Sequence, residues 1–94
     1  MIKTVRDKET ARILERQRSR KLPAGIQQTA YRKLRYLNNA RTLQDLKVPP
    51  ANRLEKLRGD RAGLYSIRIN DQWRICVRWR QGDAYVVEIV DYHG

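Results

Sequence analysis

The sequence predicts an α+β domain: two N-terminal helices packed on a mixed, mainly antiparallel sheet, in the order β-α-α-β-β-β-β. Three observations predict it. Apolar residues recur at helical spacing up to about residue 40, they recur at every second position after Pro50, and Pro49-Pro50 separates the two regimes. The 94 residues are expected to form one domain over 1–94. A chain of this size buries only about two-thirds of the surface it exposes when unfolded, so a functional site is expected to be a surface groove.

The elements follow in order. Met1–Val5 contains Ile2, Thr4 and Val5 and reads as a short edge strand. From Asp7 a helix is expected, with Thr10, Ile13, Leu14 and Gln17 on one side and charges on the other. Leu22-Pro23-Ala24-Gly25 ends it, and Pro23 suits the first turn of the next helix. That second helix, from about Ala24 to Ala40, carries Ile26, Ala30, Leu34 and Leu37 on one face and Arg32, Lys33 and Arg35 on the other. Leu43 to Asn52 reads as a connection closed by the two prolines. Arg53–Leu57 is a short strand, and Gly59-Asp60-Arg61-Ala62-Gly63 a turn or loop. Leu64–Ile69 alternates, with Tyr65, Ile67 and Ile69 on one face, and Asn70-Asp71 reverses the chain. Trp73–Arg80 places Trp73, Ile75, Val77 and Trp79 inward and Arg74, Cys76, Arg78 and Arg80 outward. After Gln81-Gly82-Asp83 the last strand, Ala84–Val90, is apolar on both faces, as a strand inside a sheet should be.

Composition narrows the functions. The formal charge is +11, from 21 Lys/Arg and 10 Asp/Glu, which favours a polyanionic partner. The N-terminus becomes charged too early for a secretory signal, and no apolar run approaches the ~18 residues of a membrane span, so a cytoplasmic protein with no membrane partner is expected. One cysteine, Cys76, excludes an internal disulfide, and one Cys with one His excludes a zinc site of the Cys/His type. No carboxylate cluster suggests a metal, and no cofactor is expected.

Part of the positive charge falls on the expected strands and their turns. Between Arg53 and Arg80 stand eight Lys/Arg (Arg53, Lys56, Arg58, Arg61, Arg68, Arg74, Arg78 and Arg80) and three acids (Glu55, Asp60 and Asp71). Alternation puts Arg74, Arg78 and Arg80 on one face, joined by Arg68 if the two neighbouring strands pair. A solvated sheet face accounts for any single arginine. Four together repel one another, and a phosphate backbone would relieve that repulsion.

The chain ends Asp91-Tyr92-His93-Gly94, and His93 is the lone histidine. RNA cleavage without a metal uses the 2′-hydroxyl as nucleophile, and needs a base, an acid for the leaving 5′-oxygen and cations for the phosphate. Asp91, Tyr92 and His93 can supply acid and base, and Arg58 and Arg74 charge. The bland alternative is a frayed terminus, an amphipathic strand-end tyrosine and an ion-paired aspartate.

The run Arg53-Leu54-Glu55-Lys56-Leu57-Arg58-Gly59-Asp60-Arg61-Ala62-Gly63, continued by Tyr65-Ser66-Ile67-Arg68-Ile69-Asn70-Asp71-Gln72-Trp73-Arg74-Ile75, resembles the core signature of HigB-type toxins of the RelE/ParE superfamily. The ending Val87-Glu88-Ile89-Val90-Asp91-Tyr92-His93 matches as well. The resemblance implies a RelE-like fold and a small basic endoribonuclease that enters the ribosomal A site and cuts mRNA there. It also implies restraint by a cognate HigA-like helix-turn-helix antitoxin. Arg58 and Arg74 would stabilise phosphate, Asp91 and Tyr92 would orient or deprotonate the 2′-hydroxyl, and His93 would be the favoured acid or base. Arg53, Lys56, Arg61, Arg68, Arg78 and Arg80 would bind the nucleic-acid backbone. Two positions depart from the family pattern: Glu55 stands where many members carry histidine, and Arg58 where many carry lysine. Arginine cannot trade protons at ordinary pH, and Glu55 adds negative charge where phosphate approaches unless it serves as the base itself. A slow nuclease is therefore expected. The competing readings are a ParE-like inhibitor of DNA gyrase and a non-catalytic RNA- or ribosome-binding protein.

Overall fold

The computed structural model describes residues 1–57 and 63–91. Arg58, Arg61, most of the expected 59–63 loop, Tyr92 and His93 lie outside the described residues. Helices α1 (Lys8–Leu14), α2 (Ala24–Asn39) and α3 (Leu43–Lys47) precede a 3₁₀ turn (Pro50–Asn52) and strands β1 (Glu55–Lys56), β2 (Leu64–Arg68), β3 (Trp73–Arg80) and β4 (Asp83–Asp91). The strands form one antiparallel sheet in the order β1-β2-β3-β4. The α+β class and the helix-then-strand order are as the periodicity predicts.

One face of the sheet packs on the helices. Ile67, Ile75 and Ile89 lie opposite one another across β2, β3 and β4. They are buried with Ile13, Ile26, Ala30, Leu34 and Leu37 from α1 and α2. At about 25 cal/mol per Å², each isoleucine or leucine among them contributes roughly 1.5–3 kcal/mol of burial. Asp7 caps α1 by accepting from the Thr10 N–H at 2.8 Å. The Thr10 hydroxyl in turn accepts from the buried Ile89 N–H at 3.0 Å, tying α1 to β4.

The first segment differs from the expected strand. Residues 1–6 make two isolated parallel bridges with β4, Ile2 to Ala84 and Val5 to Val87. This segment covers the outer edge of β4, answering backbone groups that would otherwise stand open there. Two residues of β4, Val86 and Val87, oppose the single Val77 of β3, a bulge marked by the register shift between Cys76 and Arg78. Val86 takes a left-handed φ of 53°. Its N–H is satisfied by the Thr4 hydroxyl at 2.7 Å.

Four further expectations need correction. The first helix, expected to run on to Leu22-Pro23 with Gln17 on its face, ends at Leu14, and Arg16 turns the chain away with a left-handed φ of 62°. Leu43–Asn52 is a short helix and a 3₁₀ turn rather than a plain connection. Thr42 and Asp45 form a reciprocal capping box, and Leu46 is fully buried. The strand expected over Arg53–Leu57 is only Glu55–Lys56, because Arg53 leaves the 3₁₀ turn in the left-handed conformation. Lys33, placed on the solvent face of α2, is buried at 7% exposure. Its ammonium donates to Asn52 Oδ1 at 2.6 Å, and Asn52 Nδ2 donates to the Leu46 carbonyl. Burial foremost, then the Arg32 and Arg68 charges, holds the Lys33 pKa below its ordinary 10.5.

Candidate functional site

The sheet face away from the helices is open, and its composition follows from register. Glu55 lies opposite Ser66, Ser66 opposite Cys76, and Cys76 opposite Glu88. The next row is Arg68, Arg74 and Val90. These residues share the open face because directly opposed residues point to the same side. A shallow cleft of about 400 Å³ lies there, with Arg6, Leu64, Cys76, Arg78, Glu88 and Asp91 along it.

Arg74 is on the expected face but is not an outward, solvated arginine: it is buried at 7% exposure. Its Nε donates to the Ser66 hydroxyl at 2.8 Å. One terminal nitrogen donates to the carbonyls of Arg53 and Ser66. The other terminal nitrogen lies 3.9 Å from Glu55 Oε1. The left-handed turn at Arg53 presents its carbonyl to the guanidinium, and the Lys33–Asn52 bond anchors the preceding 3₁₀ turn. Ser66, on the face of its strand that alternation sets against Tyr65, Ile67 and Ile69, is fully buried under Arg74.

Arg68 stands directly across from Arg74. Like-charge repulsion there is offset by an ion pair to Asp71 at 2.6 Å, and Arg68 holds the Asp71 carboxyl below its usual range. Asp91 pairs in register with Trp73 at the end of β4, one residue beyond the partner of Arg74. Its carboxylate is exposed and accepts from Gln72 Nε2 at 3.1 Å. The structure thus gathers Arg74, Glu55, Arg68 and Arg78 on the open face, with Asp91 at its end. Arg80 sits apart, opposite Asp83 at the β3–β4 hairpin. Lys56 pairs in register with Tyr65, on the side opposite Glu55, and Arg53 is exposed beside β1.

Sequence reasoning passes over four contributors. Ser66 and Asn52 act through Arg74 and Lys33. Glu88 and Arg6 form an ion pair at 3.5 Å on the cleft. Glu88 carries a readable signal, since it is the single charge within the otherwise apolar run from Ala84 to Val90. Among the described residues, no group of three or more His, Cys, Asp or Glu is placed to hold a metal ion.

The sequence has counterparts among known proteins. The family model for HigB, a RelE-like toxin of type II toxin–antitoxin systems, matches residues 3–93. Toxin HigB-1 of Vibrio cholerae serotype O1 is 42% identical over 67 residues, 71% of this chain and 70% of the relative. Endoribonuclease HigB of Proteus vulgaris is 44% identical over 41 residues, 44% of this chain and 45% of the relative. An uncharacterized protein of Haemophilus influenzae is 32% identical over 64 residues, which is 68% of this chain and 63% of the relative. The chain belongs to the HigB-like family of RelE-like toxins of type II toxin–antitoxin systems.

Proposed function

We propose that this chain is an endoribonuclease that cuts mRNA on the ribosome without a metal, and that a HigA-like helix-turn-helix antitoxin holds it inactive. The observation that carries the reading is the fixed Arg74 guanidinium. Its position is determined by Ser66 and Arg53 before any substrate arrives, so no reorganisation is needed as phosphate charge develops. The name of the Proteus vulgaris relative supports the same chemistry.

In this mechanism the 2′-hydroxyl oxygen bonds to the adjacent phosphorus and the bond from phosphorus to the 5′-oxygen breaks. The proton leaves the 2′-hydroxyl with help from Asp91 and Tyr92, and His93 returns a proton to the departing 5′-oxygen. Arg58 and Arg74 stabilise the crowded phosphate. The products are a 2′,3′-cyclic phosphate and a 5′-hydroxyl end. Arg53, Lys56, Arg61, Arg68, Arg78 and Arg80 attract and track the backbone. Glu55, 3.9 Å from Arg74, competes with phosphate for that cation and slows the enzyme.

The test is cleavage of ribosome-bound mRNA. His93→Ala should lower the rate about 10²–10⁴-fold and Arg74→Gln about 10²–10³-fold, while Glu55→His should raise it. The cut ends should carry 2′,3′-cyclic phosphate and 5′-hydroxyl, whereas attack by a metal-bound water leaves no cyclic phosphate. Growth arrest that survives Tyr92→Phe and His93→Ala, with inhibition of gyrase supercoiling, would replace the nuclease by a gyrase inhibitor.

A further inference from the structure

We propose that the connection between α1 and α2 is a second nucleic-acid contact, a fixed cationic knuckle that takes the phosphodiester backbone of folded RNA. It lies in the helical layer, apart from the open face. It rests on the ribosome-bound reading above for the source of that RNA.

Charge distribution first points there. No Asp or Glu stands between Glu15 and Asp45, whereas eight Lys or Arg do, and Arg16, Arg18, Arg20 and Lys21 fall within six residues. Four cations elsewhere have carboxylates at hand: Arg6 with Glu88, Arg12 with Glu9, Arg68 with Asp71 and Arg74 with Glu55. Among the described residues, Arg18, Arg20 and Lys21 have no carboxylate within 4.0 Å. Held side by side, they repel one another and are relieved by an external anion.

The backbone that carries them is built rather than loose. Ser19 is buried at 2% exposure between the exposed Arg18 and Arg20. Its hydroxyl donates to Glu9 Oε1 at 2.6 Å and accepts from the Lys21 and Leu22 N–H groups. Gln27 of α2 accepts from the Ser19 N–H and donates to the Ser19 and Leu22 carbonyls. Arg16 turns the chain out of α1 with a left-handed φ of 62°, and its guanidinium lies 5.0 Å from the Tyr31 ring centroid. With Ser19 locked inward, Arg18 and Arg20 are presented outward with little backbone entropy left to lose.

The concavity beside them is lined by Arg12, Arg18, Ser19, Arg20, Leu22 and Ala24. Only two of these are apolar. Protein partners seat a buried apolar core against their target, and this surface offers almost none. It offers planar guanidinium forks, which match phosphate. With mRNA in the open cleft and structured RNA on the knuckle, the second contact raises the effective concentration of the first.

The measurement is binding of a short RNA hairpin to the full chain, followed by fluorescence anisotropy over a potassium chloride series. Neutralising Arg18, Arg20 and Lys21 together as glutamines should make the slope of log affinity against log salt shallower by about 2–3, at about 0.9 for each phosphate no longer neutralised. The same variant should raise KM for ribosome-bound mRNA while leaving kcat unchanged. A control that neutralises the exposed Lys3, Arg41 and Lys47 should keep the wild-type slope. Equal weakening in both variants, or no change in slope, overturns the proposal. So does a knuckle variant that binds the hairpin normally but no longer binds the antitoxin, which would assign the surface to an acidic protein segment. Hairpin binding requires no cleavage. A slope change on neutralising the knuckle, in a protein whose wild type cuts no mRNA, would therefore sink the nuclease reading and leave the knuckle standing.

Discussion

Arg74 concentrates the physics of this molecule in one side chain. A buried guanidinium persists only when its N–H groups are answered, and here Ser66, the Arg53 carbonyl and Glu55 answer them. Replacing Ser66 with alanine should remove the Nε partner at about 1–3 kcal/mol of stability. By loosening the cation it should also lower kcat roughly 10–100-fold. Urea denaturation and single-turnover cleavage check the two parts. Lys33 makes the second case. Its depressed pKa means that the unfolded chain binds more protons than the folded one between the folded value and 10.5. The contribution of this group therefore rises with pH across that window. Lys33→Met should abolish that rise and leave the Asn52 carbonyl oxygen buried without its partner, a loss of about 1–3 kcal/mol at neutral pH. Alternation places Arg74 on its face correctly, yet gives no sign of its burial, because Ser66 and Arg53 meet it only through strand pairing. Lys33 escapes sequence reasoning for a similar reason. A helical wheel counts it among the charges, and the 3₁₀ turn that covers it comes from residues 50–52.

At the scale of elements, long periodic segments are readable and short ones are not. Helix α2 is legible from Ile26, Ala30, Leu34 and Leu37. Helix α3 has five residues, too few for a period to show, and only Thr42 and Asp45 mark it. Thr42→Ala should lower stability by about 1 kcal/mol, several degrees in Tm for a chain this size. The β4 bulge is hidden as well, since Val86-Val87 reads as uninterrupted strand. A β-branched residue in the left-handed region is disfavoured by roughly 1–2 kcal/mol, and asparagine tolerates that region better. Val86→Asn should therefore raise Tm by a few degrees. Thermal melting followed by circular dichroism measures both changes.

Over the whole molecule, a net charge of +11 is divided between an open sheet face, where carboxylates balance much of it, and a helical layer where they do not. The few acids are correspondingly important for stability. Asp71 is held below 3.8 by its Arg68 hydrogen bond and charge, and Asp45 by the N–H groups of Arg41 and Thr42. Their contributions are fully present above the ordinary carboxylate pKa and are lost as pH falls through the lower folded values. Stability should drop on acidification below about pH 4, and high salt should blunt the Arg68–Asp71 share.

The central claim concerns chemistry on translating ribosomes, and mapping RNA ends after induced expression tests it most directly. The account requires new 5′-hydroxyl ends within translated messages, in register with the reading frame, and requires their loss in His93→Ala. Cuts spread equally over untranslated RNA, or 5′-phosphate ends, would contradict it.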